Sequence, residues 1–283
     1  MSAEQVSSVI RPMTVSPLSA RSVALSTLLG FHPPALPVGA LIRVGRLFDI
    51  AEGSMRAALS RMAASGDVEA DQGVYQLSDR LLARQARQDE EHHPHTTAWD
   101  GTWEMEVVTA PPRPLAERTA LRRTMAGLRL AELREGVWLR PRNLERERPD
   151  VVRQQCTPFV TAEVSDDLAS TLWDLPGWAD TAQDLIARLE EGDPADLRAG
   201  FLLMAEVIRH LALDPCLPEE LRPEGWPAPE LRRLYQSFAT SYPRRLARYM
   251  HRGATTAPTP EPDHDDEKAD DEKAMVDLHD RPD

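Results

Sequence analysis

Ser54-Met55-Arg56-Ala57-Ala58-Leu59-Ser60-Arg61-Met62-Ala63-Ala64-Ser65-Gly66 runs directly into Asp67-Val68-Glu69-Ala70-Asp71-Gln72-Gly73-Val74-Tyr75-Gln76-Leu77. The reading of these two runs decides the fold of the N-terminal region. Met55, Ala58, Leu59 and Met62 recur at three- and four-residue spacing, which predicts a helix over Ser54–Ser65 with one buried face. Gly66 is its stop. Beyond the glycine, Val68, Val74, Tyr75 and Leu77 flank the turn Asp71-Gln72-Gly73 and predict a small hairpin.

Upstream, Val23, Leu25, Leu28 and Leu29 predict a first helix from Ser19 to a stop at Gly30. A loop punctuated by Pro33, Pro34 and Pro37 leads to a second, with Leu41, Ile42, Val44, Leu47 and Phe48 apolar. Three helices and a hairpin within residues 19–80 form the outline of a winged helix-turn-helix. Such a unit works if its third helix packs one face on the other two and offers a slim, hydrogen-bonding face to a major groove. Here the outward face carries Ser54, Arg56, Ala57, Ser60 and Arg61, small residues alternating with two arginines that reach guanine edges or phosphates. Arg21, Arg43 and Arg46 are candidates for phosphate contacts. The competing reading of the same pattern is a helical unit with solvated arginines.

Charge weighs against a simple electrostatic DNA binder. The chain has 283 residues and a formal net charge of −13. Eleven Asp/Glu against Lys268, Lys273 and Arg281 place eight of those negative charges in residues 254–283. Residues 19–80 balance six arginines with six carboxylates, and the hairpin itself carries Asp67, Glu69 and Asp71. Binding to phosphate must then rest on how the arginines are oriented rather than on net charge.

The rest of the chain divides by composition. Residues 1–18 read as a flexible arm. Residues 81–98 are a polar linker, and residues 99–166 alternate strand and helix patterns. In that stretch Trp103–Thr109 and Gly136–Arg140 predict strands, Phe159–Val164 a further one, and Leu115–Leu128 a helix, together an α+β ferredoxin-like middle domain. Residues 167–251 predict a helical C-terminal domain with helices over Ala182–Glu191, Ala195–Leu213 and Glu230–His251. The Asp/Glu/Pro-rich residues 252–283 have too little apolar surface to fold and predict a disordered acidic tail. The fold class is α+β and multidomain.

Several function classes fall away. The apolar runs around Val23–Phe31 and Ala199–Ile208 are far short of the roughly 20 residues that span a bilayer. Residues 1–18 lack the basic start and apolar block of a secretory signal, so a cytoplasmic protein is expected. Cys156 and Cys216 form no disulfide framework or CxxC pair. His92-His93-Pro94-His95 invites a metal reading, but Pro94 prevents a regular helix from presenting two histidines, and no metal is expected. The chain shows no nucleophile elbow, no His-Glu-x-x-His and no phosphate-cradling glycine loop. A ferredoxin-like nuclease would want a carboxylate at the end of the first strand of the middle domain, where Val107-Val108-Thr109-Ala110 stands. Glu104 and Glu106 alternate along that strand and are expected to face solvent or a partner. Trp99, Trp103 and Trp138 are expected in the core or at a dimer contact, and Trp173, Trp178 and Trp226 either in packing or along a pocket.

Four stretches in order resemble the PaaX-type transcriptional repressors, named for the regulator of phenylacetate catabolism. Ser19-Ala20-Arg21-Ser22 opens the first helix as in that family, and Ser54–Gly66 is similar to its recognition helix. Trp99-Asp100-Gly101-Thr102-Trp103, Leu121-Arg122-Arg123 and Gly136-Val137-Trp138-Leu139-Arg140-Pro141 resemble its middle domain. Leu213-Asp214-Pro215-Cys216-Leu217-Pro218 with Leu221-Arg222-Pro223-Glu224-Gly225-Trp226-Pro227 resembles its C-terminal segment. The resemblance implies a cytoplasmic homodimer that represses a catabolic operon from a palindromic operator. It also implies release from DNA by an aryl- or acyl-CoA thioester such as phenylacetyl-CoA, with no bound cofactor and no enzyme activity. The alternatives are a protein-interaction module built on a neutral winged helix and, behind it, the nuclease.

Overall fold

The computed structural model describes residues 18–83 and 95–252. The expectations for residues 1–17, for the cluster at His92, His93 and Pro94, and for the acidic tail lie outside the described residues. The fold is mixed α+β, with helices and two antiparallel sheets.

The first part of the chain contains α1 (Ala20–Leu29), β1 (Ala35–Pro37), α2 (Val38–Arg46), α3 (Glu52–Ala64), β2 (Val68–Asp71) and β3 (Val74–Leu77). Ser19 caps α1, its Oγ accepting from the Ser22 amide at 3.1 Å. α3 begins two residues earlier than its apolar spacing suggests, with Ala51 at the N-cap and no side-chain cap. It ends in a Schellman motif: the Gly66 amide, at φ 68°, bonds the Ala63 carbonyl and the Asp67 amide bonds the Met62 carbonyl. Gln72 and Gly73 both take positive φ in the β2–β3 turn, where glycine supplies the left-handed conformation at no steric cost. The sheet order is β1-β3-β2. β1 occupies what the prolines suggest is a loop. As an edge strand it pairs only with β3, where the missing N–H of Pro37 breaks no ladder.

α2 and α3 meet closely. A Cβ on Gly45 would lie 2.8 Å from Met55 Cε, so glycine permits the approach. Leu28, Leu41, Val44, Met55 and Leu59 fill the core between the three helices. That core is completed from far along the chain: Phe201, Tyr242, Leu246 and Met250 pack into the same cluster. The C-terminal helices therefore share a core with the first three.

The second sheet runs β5-β6-β4-β7, all antiparallel, from β4 (Trp103–Val108), β5 (Ala131–Arg134), β6 (Val137–Pro141) and β7 (Cys156–Thr161). α4 (Leu115–Gly127) connects β4 to β5, and the short α5 (Asp150–Gln155) precedes β7. Alternation splits the side chains between two faces. Trp103 and Leu139 pack with Leu168, Ala169 and Leu217, while Trp138 packs with Leu121, Met125 and Val152. β5 and α5 went unpredicted because each is short and mostly polar. β5 also carries a bulge between Glu132 and Arg134 that breaks its alternation.

After α6 (Leu168–Leu172) come α7 (Leu175–Glu191), α8 (Leu197–Ala212) and α9 (Ala228–Arg252). α7 starts seven residues before the predicted Ala182, because Asp174 caps it and Pro176 sits in its first turn, where proline is favoured. Trp178 stacks on His210 at 4.4 Å and on Trp226 at 4.6 Å, and Trp173 stacks on Trp103 at 6.5 Å. These tryptophans are packing residues.

Buried arginines fasten the second sheet to the segment after α8. Arg129 donates to the carbonyls of Leu211, Ala212 and Asp214. Arg140, fully buried, bonds Asn143 Oδ1 at 2.7 Å and the carbonyls of Pro141, Pro215 and Cys216. Burial lowers its pKa to about 9, far enough above neutrality to keep it charged. Asp214, also buried, accepts from the Cys216 amide at 2.9 Å and from Arg232 at 2.5 Å.

Candidate nucleic-acid interface

The helical period of α3 separates its two faces. Met55, Ala58, Leu59 and Met62 are buried, and Ser54, Arg56, Ala57, Ser60 and Arg61 are all exposed. The five α3 residues expected to face DNA thus share one accessible face. No ion-pair partner for Arg61 is found among the described residues. Arg56 bonds Glu52 at 2.9 Å along the helix, and Arg46 reaches the same carboxylate at 3.7 Å. Glu52 therefore neutralises part of this face while holding Arg46 and Arg56 side by side.

Asp67 is the organising group at the other end of α3. Its side chain is 5 % exposed and accepts from Ser65 Oγ at 2.8 Å, from Arg21 of α1 at 2.5 Å and from Arg80. The Ser65 hydroxyl foremost, then Arg21 and Arg80, hold its carboxyl below the usual carboxylate range against the opposing effect of burial. Arg21 therefore reaches the surface already paired with a carboxylate. Sequence reading nominated Arg21 but missed Asp67 and Arg80. Asp67 carried no signal beyond being an acidic residue after a glycine, and its partners are 46 and 13 residues away.

Arg43 is placed differently from the other candidates. It is half-buried, its Nε is enclosed without a hydrogen-bond partner among the described residues, and its carbonyl accepts from the Tyr249 hydroxyl of α9 at 3.4 Å. It lies against the C-terminal helix. On the hairpin, Glu69, Asp71, Gln72 and Gly73 are exposed, so its tip presents carboxylates where a phosphate contact would want cations. Two arginine groups thus flank α3: Arg46 and Arg56 around Glu52 at its start, and Arg21 and Arg80 around Asp67 at its end, with Arg61 on the helix itself.

The middle sheet corrects the expectation for Glu104 and Glu106. Glu106 is buried and bidentate with Arg148 at 2.6 Å, and Glu104 pairs with Arg146 at 2.8 Å. The arginine partners come from the segment between β6 and α5, which single-strand alternation cannot reveal. Burial raises the thiols of Cys156 and Cys216 above their ordinary value, so neither is poised as a nucleophile. Among the described residues no group of three or more His, Cys, Asp or Glu is arranged to hold a metal ion. Nor is any helix among them long and apolar enough to cross a membrane.

Three family models match the chain in sequence order. They are PaaX-like protein at residues 19–81, PaaX protein central Cas2-like domain at 96–170, and PaaX-like protein C-terminal domain at 174–252. Among solved structures, an uncharacterized protein, Rv0674, from Mycobacterium tuberculosis is 41% identical with a TM-score of 0.72. That match covers 82% of this chain and 98% of that chain. The comparison with curated proteins finds no match.

Proposed function

The chain belongs to the PaaX family, a family of regulators rather than enzymes, and on that premise we propose that it is a ligand-responsive transcriptional repressor. The observation that carries the proposal is the accessible outer face of α3, with Arg56 and Arg61 framed by small residues and followed by a hairpin. In this reading residues 19–80 are a winged helix-turn-helix, supported by the three-helix core and the β1-β3-β2 sheet. Residues 99–166 are a ferredoxin-like domain, supported by the order β5-β6-β4-β7 with α4 and α5 between strands. Residues 167–251 are a helical C-terminal domain.

Arg56, Ser60 and Arg61 contact base edges, with Ser54 and Ala57 beside them. Arg46 and Arg21 approach phosphates, and Arg43, half-buried, is the weakest of the nominated set. The protein acts as a homodimer on a palindromic operator, its two α3 helices about one DNA turn, ~34 Å, or a multiple of it, apart. The effector is an aryl- or acyl-CoA thioester that prefers the arrangement with the wrong spacing. Driving occupancy from 99:1 to 1:99 requires about 5.5 kcal/mol of differential affinity. The shared core between α9 and the first three helices supports such coupling, since a shift of the C-terminal helices must be felt at α2.

The test is fluorescence anisotropy of the purified protein on duplex DNA from upstream of its own gene, against a scrambled duplex, with and without phenylacetyl-CoA. Selective, salt-sensitive binding that the thioester releases supports the reading. Equal affinity for both duplexes refutes it. The acidic hairpin tip favours a second reading, a protein-interaction module, which the same failure would promote.

A further inference from the structure

A cleft of about 1040 Å³ opens between α4 and the β5–β6 edge of the middle sheet, with no residue of α3 in its lining. Its charge is lopsided. Five arginines line it, Arg113, Arg118, Arg122, Arg123 and Arg134, against two carboxylates, Glu132 and Glu135. Both carboxylates are engaged: Glu132 pairs with Arg122 at 2.9 Å and Glu135 with Arg118 at 3.8 Å. Arg113, Arg123 and Arg134 have no ion-pair partner among the described residues, which leaves an excess of three positive charges. One nitrogen of Arg113, Nη1, is enclosed without a hydrogen-bond partner among the described residues, an expensive state for a cationic group.

Apart from Thr119, the remaining lining is apolar. Leu115 stands 70% exposed at the cleft, and Trp138 lies beneath Arg122, whose guanidinium sits 6.0 Å from the ring centroid. Guanidinium forks match phosphate oxygens two at a time, and three uncompensated forks exceed what a single carboxylate can satisfy. The volume suits a ligand larger than a simple metabolite.

We propose that this cleft binds a small molecule carrying two or more phosphate groups joined to an apolar or aromatic portion. The phosphates are held by Arg113, Arg123 and Arg134, and the apolar portion lies against Leu115 and Trp138. The binding stands on the cleft alone; its role as the effector site rests on the regulator reading. Because α4 leads into Arg129, which caps α8 through the Leu211 and Ala212 carbonyls, a ligand pulling on α4 acts on the junction with the C-terminal helices.

The test is titration of the full chain with trinitrophenyl-ATP, a fluorescent triphosphate with an aromatic group, in competition with inorganic triphosphate. The comparison is a triple variant, Arg113→Gln with Arg123→Gln and Arg134→Gln, whose folding is checked by circular dichroism. The single Arg134→Gln variant, at an exposed position, guards against misfolding. Saturable binding is expected in the wild type, displaced by triphosphate and weakened about tenfold or more in the triple variant. Duplex binding by the same variant should stay as in the wild type. No saturable binding, or equal affinity in the triple variant, overturns the proposal; loss of duplex binding would instead assign the cleft to nucleic acid. Probe binding without selective duplex binding would sink the regulator reading and leave the cleft standing, and the converse would do the reverse.

Discussion

Replacing Asp67 with asparagine removes a buried charge from the point where α1, the end of α3 and the segment after β3 meet. The carboxylate accepts from Ser65, Arg21 and Arg80. Charge-assisted bonds contribute about 1.5–3 kcal/mol each, and breaking a wholly buried ion pair costs about 3–5 kcal/mol. The full amount is not expected here, because the Arg21 and Arg80 side chains are 54% and 66% exposed and regain water when released. The Ser65 hydroxyl keeps its bond to the Met62 carbonyl. The expected loss is thus about 2–3 kcal/mol, read by urea unfolding at neutral pH. The pH dependence sharpens the test. Asp67 has a folded pKa below its ordinary 3.8, so its contribution is complete above that value and is lost as pH falls through the lower folded pKa. The gap between wild type and variant should hold from pH 8 to 5 and close only below about pH 4. A loss under about 0.5 kcal/mol, or an equal gap at pH 3 and pH 7, would refute the role assigned to Asp67.

Two further outcomes follow from the buried groups. Arg140→Met should cost about 3–5 kcal/mol in chemical unfolding, because it strands Asn143 Oδ1 and the Pro215 carbonyl in the sheet–C-terminal junction; a loss below 1 kcal/mol would mean that the junction does not depend on it. His210, stacked on Trp178 and bonded through Nε2 to the Trp178 carbonyl at 3.0 Å, has its pKa lowered by burial below 6.5. Folding favours its neutral form, so the wild type should lose stability as pH falls below 6.5, and His210→Phe should show a smaller loss between pH 8 and 5 in thermal melts.

The local elements were the legible ones. The periodicity of α3, its glycine stop and the Asp71-Gln72-Gly73 turn are written in neighbouring residues, and they hold to within two residues. The outward face of α3 followed from the same period. What escaped reading depends on distant partners. β1 exists because Leu36 finds Tyr75 across the sheet, and proline content hides it. Asp67 acquires its role only when Arg21 and Arg80 fold against it. The closure of the first core by Phe201, Tyr242, Leu246 and Met250 joins residues more than 130 positions apart, a distance no spacing rule spans. Glu104 and Glu106 show the same limit, since their arginine partners lie some forty residues further on.

The most direct test of the central claim is selective duplex binding by a variant carrying Arg56→Ala and Arg61→Ala, measured by anisotropy beside the wild type. Both side chains are exposed, so folding should be retained. If the outer face of α3 reads DNA, removing each guanidinium from its base edge costs about 1–3 kcal/mol, and the variant should no longer distinguish the upstream duplex from the scrambled one. Wild-type affinity and selectivity in that variant would contradict the account.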